Sequence, residues 1–155
     1  MKKIKLLLIF ACLTLFSQAQ KKLVPVSQSP LTGISLPAGT KQDSRLLSVM
    51  AGKALLETET KGAGLAIDKT EFLTIPATPD IQASMDSIKQ LLQDAGWMLS
   101  PVQSGDAHYF WIDRNNIRLI SYLSGSKKEI SLYFGETTGQ QNNSAQQNDP
   151  IQTDP

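Results

Sequence analysis

The segment AHYFWID, residues 107–113, sets Tyr109, Phe110 and Trp111 side by side. Neighbours in an extended strand point to opposite faces of a sheet. Tyr109 and Trp111 therefore share one face, and Phe110 and Ile112 share the other. The same phase continues downstream. In IRLISYLS (117–124), Ile117, Leu119 and Leu123 fall together, opposite Arg118, Ile120 and Tyr122. In EISLYFGE (129–136), Ile130, Leu132 and Phe134 oppose Ser131 and Tyr133. The connections RNN and GSKK are short and rich in turn formers, so the three runs form an antiparallel meander, preceded by a shorter strand at WMLSPV. One face is aliphatic or Phe apart from Ser121. The other gathers Tyr109, Trp111, Ile120, Tyr122 and Tyr133, with Arg118 among them.

The aliphatic face needs a cover, and the segment upstream supplies one. In TPDIQASMDSIKQLLQDAGW (78–97), Ile81, Met85, Ile88, Leu92 and Ala95 make one helical stripe, with Leu91 on its shoulder. Thr78 is the expected N-cap, with Pro79 at the first helical position and Asp80 near the positive end of the dipole. Gly96 ends the helix in a left-handed cap, and Trp97 folds back onto Leu92. Further upstream, LTGISLPAGT reads as a short strand and EFLTIP as another. SRLLSVMAGKALLETET (44–60) admits two readings. Leu47, Met50, Ala51 and Ala54 make a helical face after Asp43 or Ser44 as cap. Alternatively, Thr58 and Thr60 favour a strand turned at KGAG into LAI. The helix is preferred.

The expected fold class is α+β: an antiparallel sheet of about four or five strands with the 79–95 helix packed on one face and a second helix at 44–60. The aromatic face is then either buried under the 44–60 segment or the front strands, or open as a contact surface. Burial is the commoner fate of such faces in small domains. Rings with polar tips are enriched at interfaces, and an open patch of this size marks a contact site.

Both ends of the chain read differently from the middle. MKKIKLLLIFACLTLFSQAQ has a lysine-rich start, an apolar run from Leu6 to Phe16 and small residues at Ser17 and Ala19. This is the pattern of a secretory signal, too short for a spanning helix, with cleavage expected after Ala19. The alternative is a lipoprotein anchored at Cys12. Cleavage removes Lys2, Lys3, Lys5 and the only cysteine, leaving 12 basic and 14 acidic residues and a net charge near −2. The mature chain then forms no disulfide and has no thiolate for zinc or nucleophilic attack. With no basic excess, nucleic acid is not an expected partner. Residues 20–30, with Pro25 and Pro30, read as a linker. Residues 137–155 read as a disordered tail, nearly all amide, small and proline residues. Between them, residues 31–136 suffice for a single core.

The inventory for catalysis is thin. His108 is the only histidine. A Ser-His-Asp arrangement has to use it with Asp106 or Asp113, and no Gly-x-Ser-x-Gly elbow accompanies them. His108 with Asp106, Asp113 and Glu129 matches no recurring metal-ligand spacing. Two carboxylates can in principle cleave glycosides; Glu57 with Glu59, and Asp68 with Glu71, are close in sequence, but nothing places either pair in a cleft, and they read as a solvated face. KGAG and LSGSKK lack the strand–GxxxxGK[ST]–helix pattern of a phosphate loop. No metal and no cofactor is expected.

The signal together with SLPAGT, LLQDAGW and SLYFGE makes the chain resemble small exported bacterial proteins of unknown function. In these, an amphipathic helix ending in a Gly-Trp step leads into an antiparallel meander. The resemblance covers about residues 34 to 136 and implies neither catalytic residues nor a ligand. The expected function is a non-catalytic, secreted or periplasmic binding or accessory module of the cell envelope. Its partner is expected to be a protein rather than a glycan. Tyr109, Trp111, Tyr122 and Tyr133 are the expected stacking residues, and Arg118 the charged contact. The alternative is a small hydrolase-like enzyme using His108 and Asp113.

Overall fold

A computed structural model describes residues 23–139. The expected signal with its cleavage point, Cys12 and most of the 137–155 tail lie outside these residues. The described residues contain nine elements. The strands are β1 (Val24–Pro25), β2 (Lys41–Gln42), β3 (Ala66–Pro76), β4 (Met98–Pro101), β5 (Tyr109–Arg114), β6 (Ile117–Gly125) and β7 (Glu129–Thr138), and the helices are α1 (Leu46–Gly62) and α2 (Ile81–Asp94). The strands form one sheet in the order β1-β2-β3-β7-β6-β5-β4, and every pairing is antiparallel. The class is α+β as expected, but with seven strands rather than four or five. The surplus comes from the front of the chain. β1 and β2 are two residues each, too short to print a periodicity, and exist only through pairing with their neighbours.

The meander follows the two-residue phase. β5 and β6 are joined through Asn115 and Asn116, both at positive φ (50° and 64°), the geometry of the hairpin turn that matches strand twist. Opposed pairs run Tyr109 to Tyr122, Trp111 to Ile120 and Asp113 to Arg118 across β5–β6, and Tyr122 to Tyr133 across β6–β7. Phe110, Ile112, Leu119, Leu123, Ile130, Leu132 and Phe134 form a single core with Ile88, Leu92 and Trp97. The face assigned to α2 is therefore the face it covers.

α2 starts at Ile81, two residues inside the expected boundary. Asp80 rather than Thr78 is the N-cap, its carboxylate accepting from the Ala83 N–H at 2.9 Å. Thr78 instead donates to the Asp80 carbonyl oxygen at 2.9 Å, which ties the entry loop to the first turn. The C-terminal end is as read. Gly96 has φ +83°, its N–H bonds Gln93 O at 2.9 Å, and the Trp97 N–H bonds Leu92 O at 3.0 Å. These two bonds constitute a Schellman motif.

The 44–60 segment is helical, so the hairpin reading is corrected. Thr58 and Thr60 lie within α1, Thr58 donating back to the Ala54 carbonyl at 3.1 Å. Neither expected cap takes that position, which Arg45 occupies. Asp43 lies outside the helix and holds the Arg45 guanidinium through both carboxylate oxygens, at 3.0 and 2.6 Å. α1 packs on the opposite side of the sheet from α2, in a second core of Leu56, Phe72, Val102, Tyr109, Trp111 and Ile120. The molecule is a sheet between two helices.

The face that α1 turns inward is the unexpected one. Gly52, Leu56 and Thr60 are buried, while Leu47 and Met50 are 80% and 61% exposed. The reason is fit. A Cβ at Gly52 would overlap the Phe72 ring, and one at Gly135 would meet Leu56 at 3.2 Å. The helix lies close because two glycines, one on each surface, leave room for the ring and the leucine opposite.

Residues 23–30, expected to be a linker, are tied to the sheet. Val24 and Pro25 pair with Gln42 and Lys41, and the Val26 N–H bonds Thr40 O at 3.1 Å. Ser29 is buried and donates to Glu71 Oε2 at 2.6 Å, beside the Leu31 N–H at 3.2 Å. Glu71 is 1% exposed, and among the described residues its Oε1 has no hydrogen-bond partner. Burial pushes this carboxyl above its ordinary value of 4.5, against the opposing pull of Ser29 and Leu31. The folded state therefore holds this proton more tightly than the unfolded chain. Its contribution to stability is full below the ordinary carboxyl value and is lost as pH rises through the raised one. Urea midpoints should show it as a difference: Glu71→Gln gains on the wild type as pH rises from about 4 to about 8. Parallel curves would rule out a buried titrating carboxyl.

Candidate functional site

The five residues proposed for contact all lie on the α1 face of the sheet. Their environments divide them. One row runs across four strands as Tyr109, Tyr122, Tyr133 and Phe72. Ring centroids are 5.0 Å apart for Tyr109–Tyr122, 5.4 Å for Tyr122–Tyr133 and 5.1 Å for Phe72–Tyr133, the last edge to face. Cross-strand aromatic pairs of this kind stabilise a sheet. α1 covers the Phe72 end of the row at Gly52. Tyr109 is buried, and Tyr122 and Tyr133 remain half-buried.

Trp111 and Arg118 lie beyond that row, nearer the C-terminal end of α1. Trp111 is buried, and the Arg118 guanidinium lies 5.4 Å from its ring centroid. Arg118 is itself held by Asp113 through two hydrogen bonds, at 2.7 and 3.2 Å. The two side chains line a cleft of about 370 Å³, shared with Glu59, Gln103 and Ser104. A sugar ring needs a free aromatic face to stack on, but Trp111 is buried and the Arg118 guanidinium, whose charge Asp113 balances, already lies over its ring. The aromatic set is thus mainly the second core, with Tyr122 and Tyr133 as its open margin.

The residues of the hydrolase alternative are not brought together. His108 and Asp113 sit at opposite ends of β5, about 17 Å apart at the rise of a strand. His108 is exposed, with Nδ1 3.0 Å from Asp106 Oδ1 and its ring stacked on Tyr122 at 6.0 Å. The Asp106 carboxyl is held below its usual range by the His108 backbone N–H and then by the His108 ring. Ser104 accepts from the Asp106 N–H at 3.3 Å and makes no bond to the histidine ring. Among the described residues, no group of three or more His, Cys, Asp or Glu side chains is placed to hold a metal ion.

The structure brings forward a surface that the aromatic pattern did not. Leu46, Leu47, Met50 and Leu55 on α1 are 71%, 80%, 61% and 40% exposed, and Ala51 and Ala54 beside them are exposed as well. A signal for it exists in the sequence. The first eleven residues of α1, LLSVMAGKALL, carry apolar side chains all the way round, more than one buried stripe uses. Such a helix is normally enclosed on all sides.

Fold and surface together define an α+β domain with a seven-stranded antiparallel sheet, covered by one helix on each face and carrying an apolar stripe on one helix. Among the described residues, no helix is long and apolar enough to cross a membrane. No known protein-family model matches the chain, and no curated protein or solved structure matches it either.

Proposed function

We propose that this chain is an exported, non-catalytic binding module of the cell envelope, and that it docks a protein along the outer face of α1. Export rests on the signal-like segment before Gln20. The observation that carries the docking reading is the exposed stripe of Leu46, Leu47 and Met50 on a helix whose opposite side is already satisfied by Phe72 and Leu56. Leaving large aliphatic side chains in water forfeits roughly 1.5–3 kcal/mol each relative to full burial. A contiguous cluster of them marks a contact surface. A protein suits the surface better than a glycan, because the stripe is aliphatic and offers neither a ring to stack on nor a hydrogen-bonding fork.

A photo-crosslinking side chain placed at Met50, in the chain exported by its own cells, tests the reading. It should give a discrete adduct of protein size that disappears when Leu47→Glu is added. The same group at Lys127, on the β6–β7 turn, should give none. No adduct from position 50, or the same adducts from both positions, would overturn the proposal.

A further inference from the structure

We infer that the cleft beside Trp111 is a binding site for a small zwitterion, a ligand with an ammonium group at one end and a carboxylate at the other. This goes beyond the docking reading and uses a different surface. The cleft, about 370 Å³, lies between the C-terminal turns of α1 and the 102–104 loop, with Trp111 of β5 and Arg118 of β6 between them. Sites for small molecules begin at roughly 300 Å³, so the space suits an amino acid or a dipeptide rather than a polymer. Two charged side chains line it, Glu59 and Arg118, and they are of opposite sign.

Each has bonding capacity to spare. Glu59 stands three positions after the buried Leu56, on a flank of α1 turned toward the sheet. Among the described residues it makes no ion pair, whereas Glu57 meets both Lys53 and Lys61. The last turn of α1, through Gly62 and Ala63, lines the same wall and adds the negative end of the helix dipole. An ammonium group is the complement of that wall. Across from it, Arg118 gives Asp113 only part of its N–H fork, and Asp113 lines not this cleft but the adjoining one beyond Arg118. The Trp111 indole N–H, unlike that of Trp97, has no acceptor among the described residues. Guanidinium and indole together offer donors to a carboxylate. Gln103 and Ser104, also on the lining, are neutral donors and acceptors for the atoms between the two ends.

Alanylalanine is the probe, added to the chain purified after export and followed by heteronuclear NMR. The Trp111 indole N–H signal, assigned by its survival in Trp97→Phe, should shift saturably with a Kd on the order of 0.1–1 mM, as suits so few ligand atoms. The Trp97 indole signal, bonded to Thr32 O, should stay in place. N-acetylation of the dipeptide removes the ammonium charge and C-terminal amidation removes the carboxylate, and each should weaken binding about 10-fold. Glu59→Gln should erase the difference between the dipeptide and its acetylated form while still discriminating against the amide. Glu59 is partly exposed and unpaired among the described residues, so this substitution should leave the urea midpoint unchanged. Free alanine tests reach: binding as tight as the dipeptide's would support the zwitterion site and assign it to a single amino acid, and weaker binding would assign it to a peptide with both ends free. No saturable shift at Trp111 up to about 10 mM dipeptide, or equal affinity for the dipeptide and both blocked forms, would overturn the site.

Discussion

Trp97→Ala should cost the fold about 3–5 kcal/mol, the usual loss for truncating a buried tryptophan. Trp97 is 2% exposed and joins three parts of the molecule. Its backbone N–H closes the end of α2 on Leu92 O, and its indole N–H donates to the Thr32 carbonyl at 3.1 Å. The Arg114 guanidinium lies 4.4 Å from its ring centroid while donating to Ala95 O at 2.9 Å. Removing the ring leaves a cavity beside Ile88 and Leu92 and takes away one tie between the 29–34 turn and the helix end, leaving the Arg114 bond to Thr32 O at 3.4 Å as the other. Trp97→Phe keeps most of the apolar area and loses chiefly the bond to Thr32, about 1 kcal/mol. Urea unfolding separates the two substitutions. An alanine variant within about 1 kcal/mol of the wild type would mean that the ring does not seal this junction.

Leu56→Ala should cost about 2–5 kcal/mol, and its effect should be regional. Leu56 is fully buried and reaches into the space above Gly135, beside Ile120 and Ile67. It is the central contact between α1 and the sheet, so hydrogen exchange should accelerate in α1 more than in α2. Gly52→Ala provides a test of sign on the same surface. Alanine favours an α-helix over glycine by about 1 kcal/mol, so propensity alone predicts a gain. The added Cβ would overlap the Phe72 ring, held in place by Tyr133 edge to face, and overpacking typically costs about 1–3 kcal/mol. A net loss is expected, read as a lower denaturation midpoint. A gain would mean that α1 sits less closely on the sheet than its geometry requires.

The aromatic surface was partly legible before the fold was known. Alternation places Tyr109, Trp111, Tyr122 and Tyr133 on one face without any coordinates, and the register bears out that sorting while adding the pairs themselves. Whether that face is open was not legible, because it depends on α1, which is distant in sequence from β5 and β6. Arg118 was read as a charge free to meet a partner. Its pairing with Asp113 follows from the two-residue turn at Asn115 and Asn116, which sets positions 113 and 118 opposite each other. The burial of Glu71 and its bonds to Ser29 and Leu31 gave no sequence signal, since acidic residues such as Asp68 and Glu71 in one strand read as a solvated face.

The sequence by itself determined the phase of the meander and the apolar stripe and stop of α2. Those features are local: a two-residue alternation, a stripe at helical spacing, and a glycine able to take positive φ. Only the tertiary structure decided the number of strands and the side of α1 that faces inward. β1 and β2 exist through long-range pairing alone. α1 carries apolar residues all round, so its orientation follows from shape, with Gly52 admitting Phe72 and Gly135 admitting Leu56. The stripe that sequence pattern assigned to the core is left facing water.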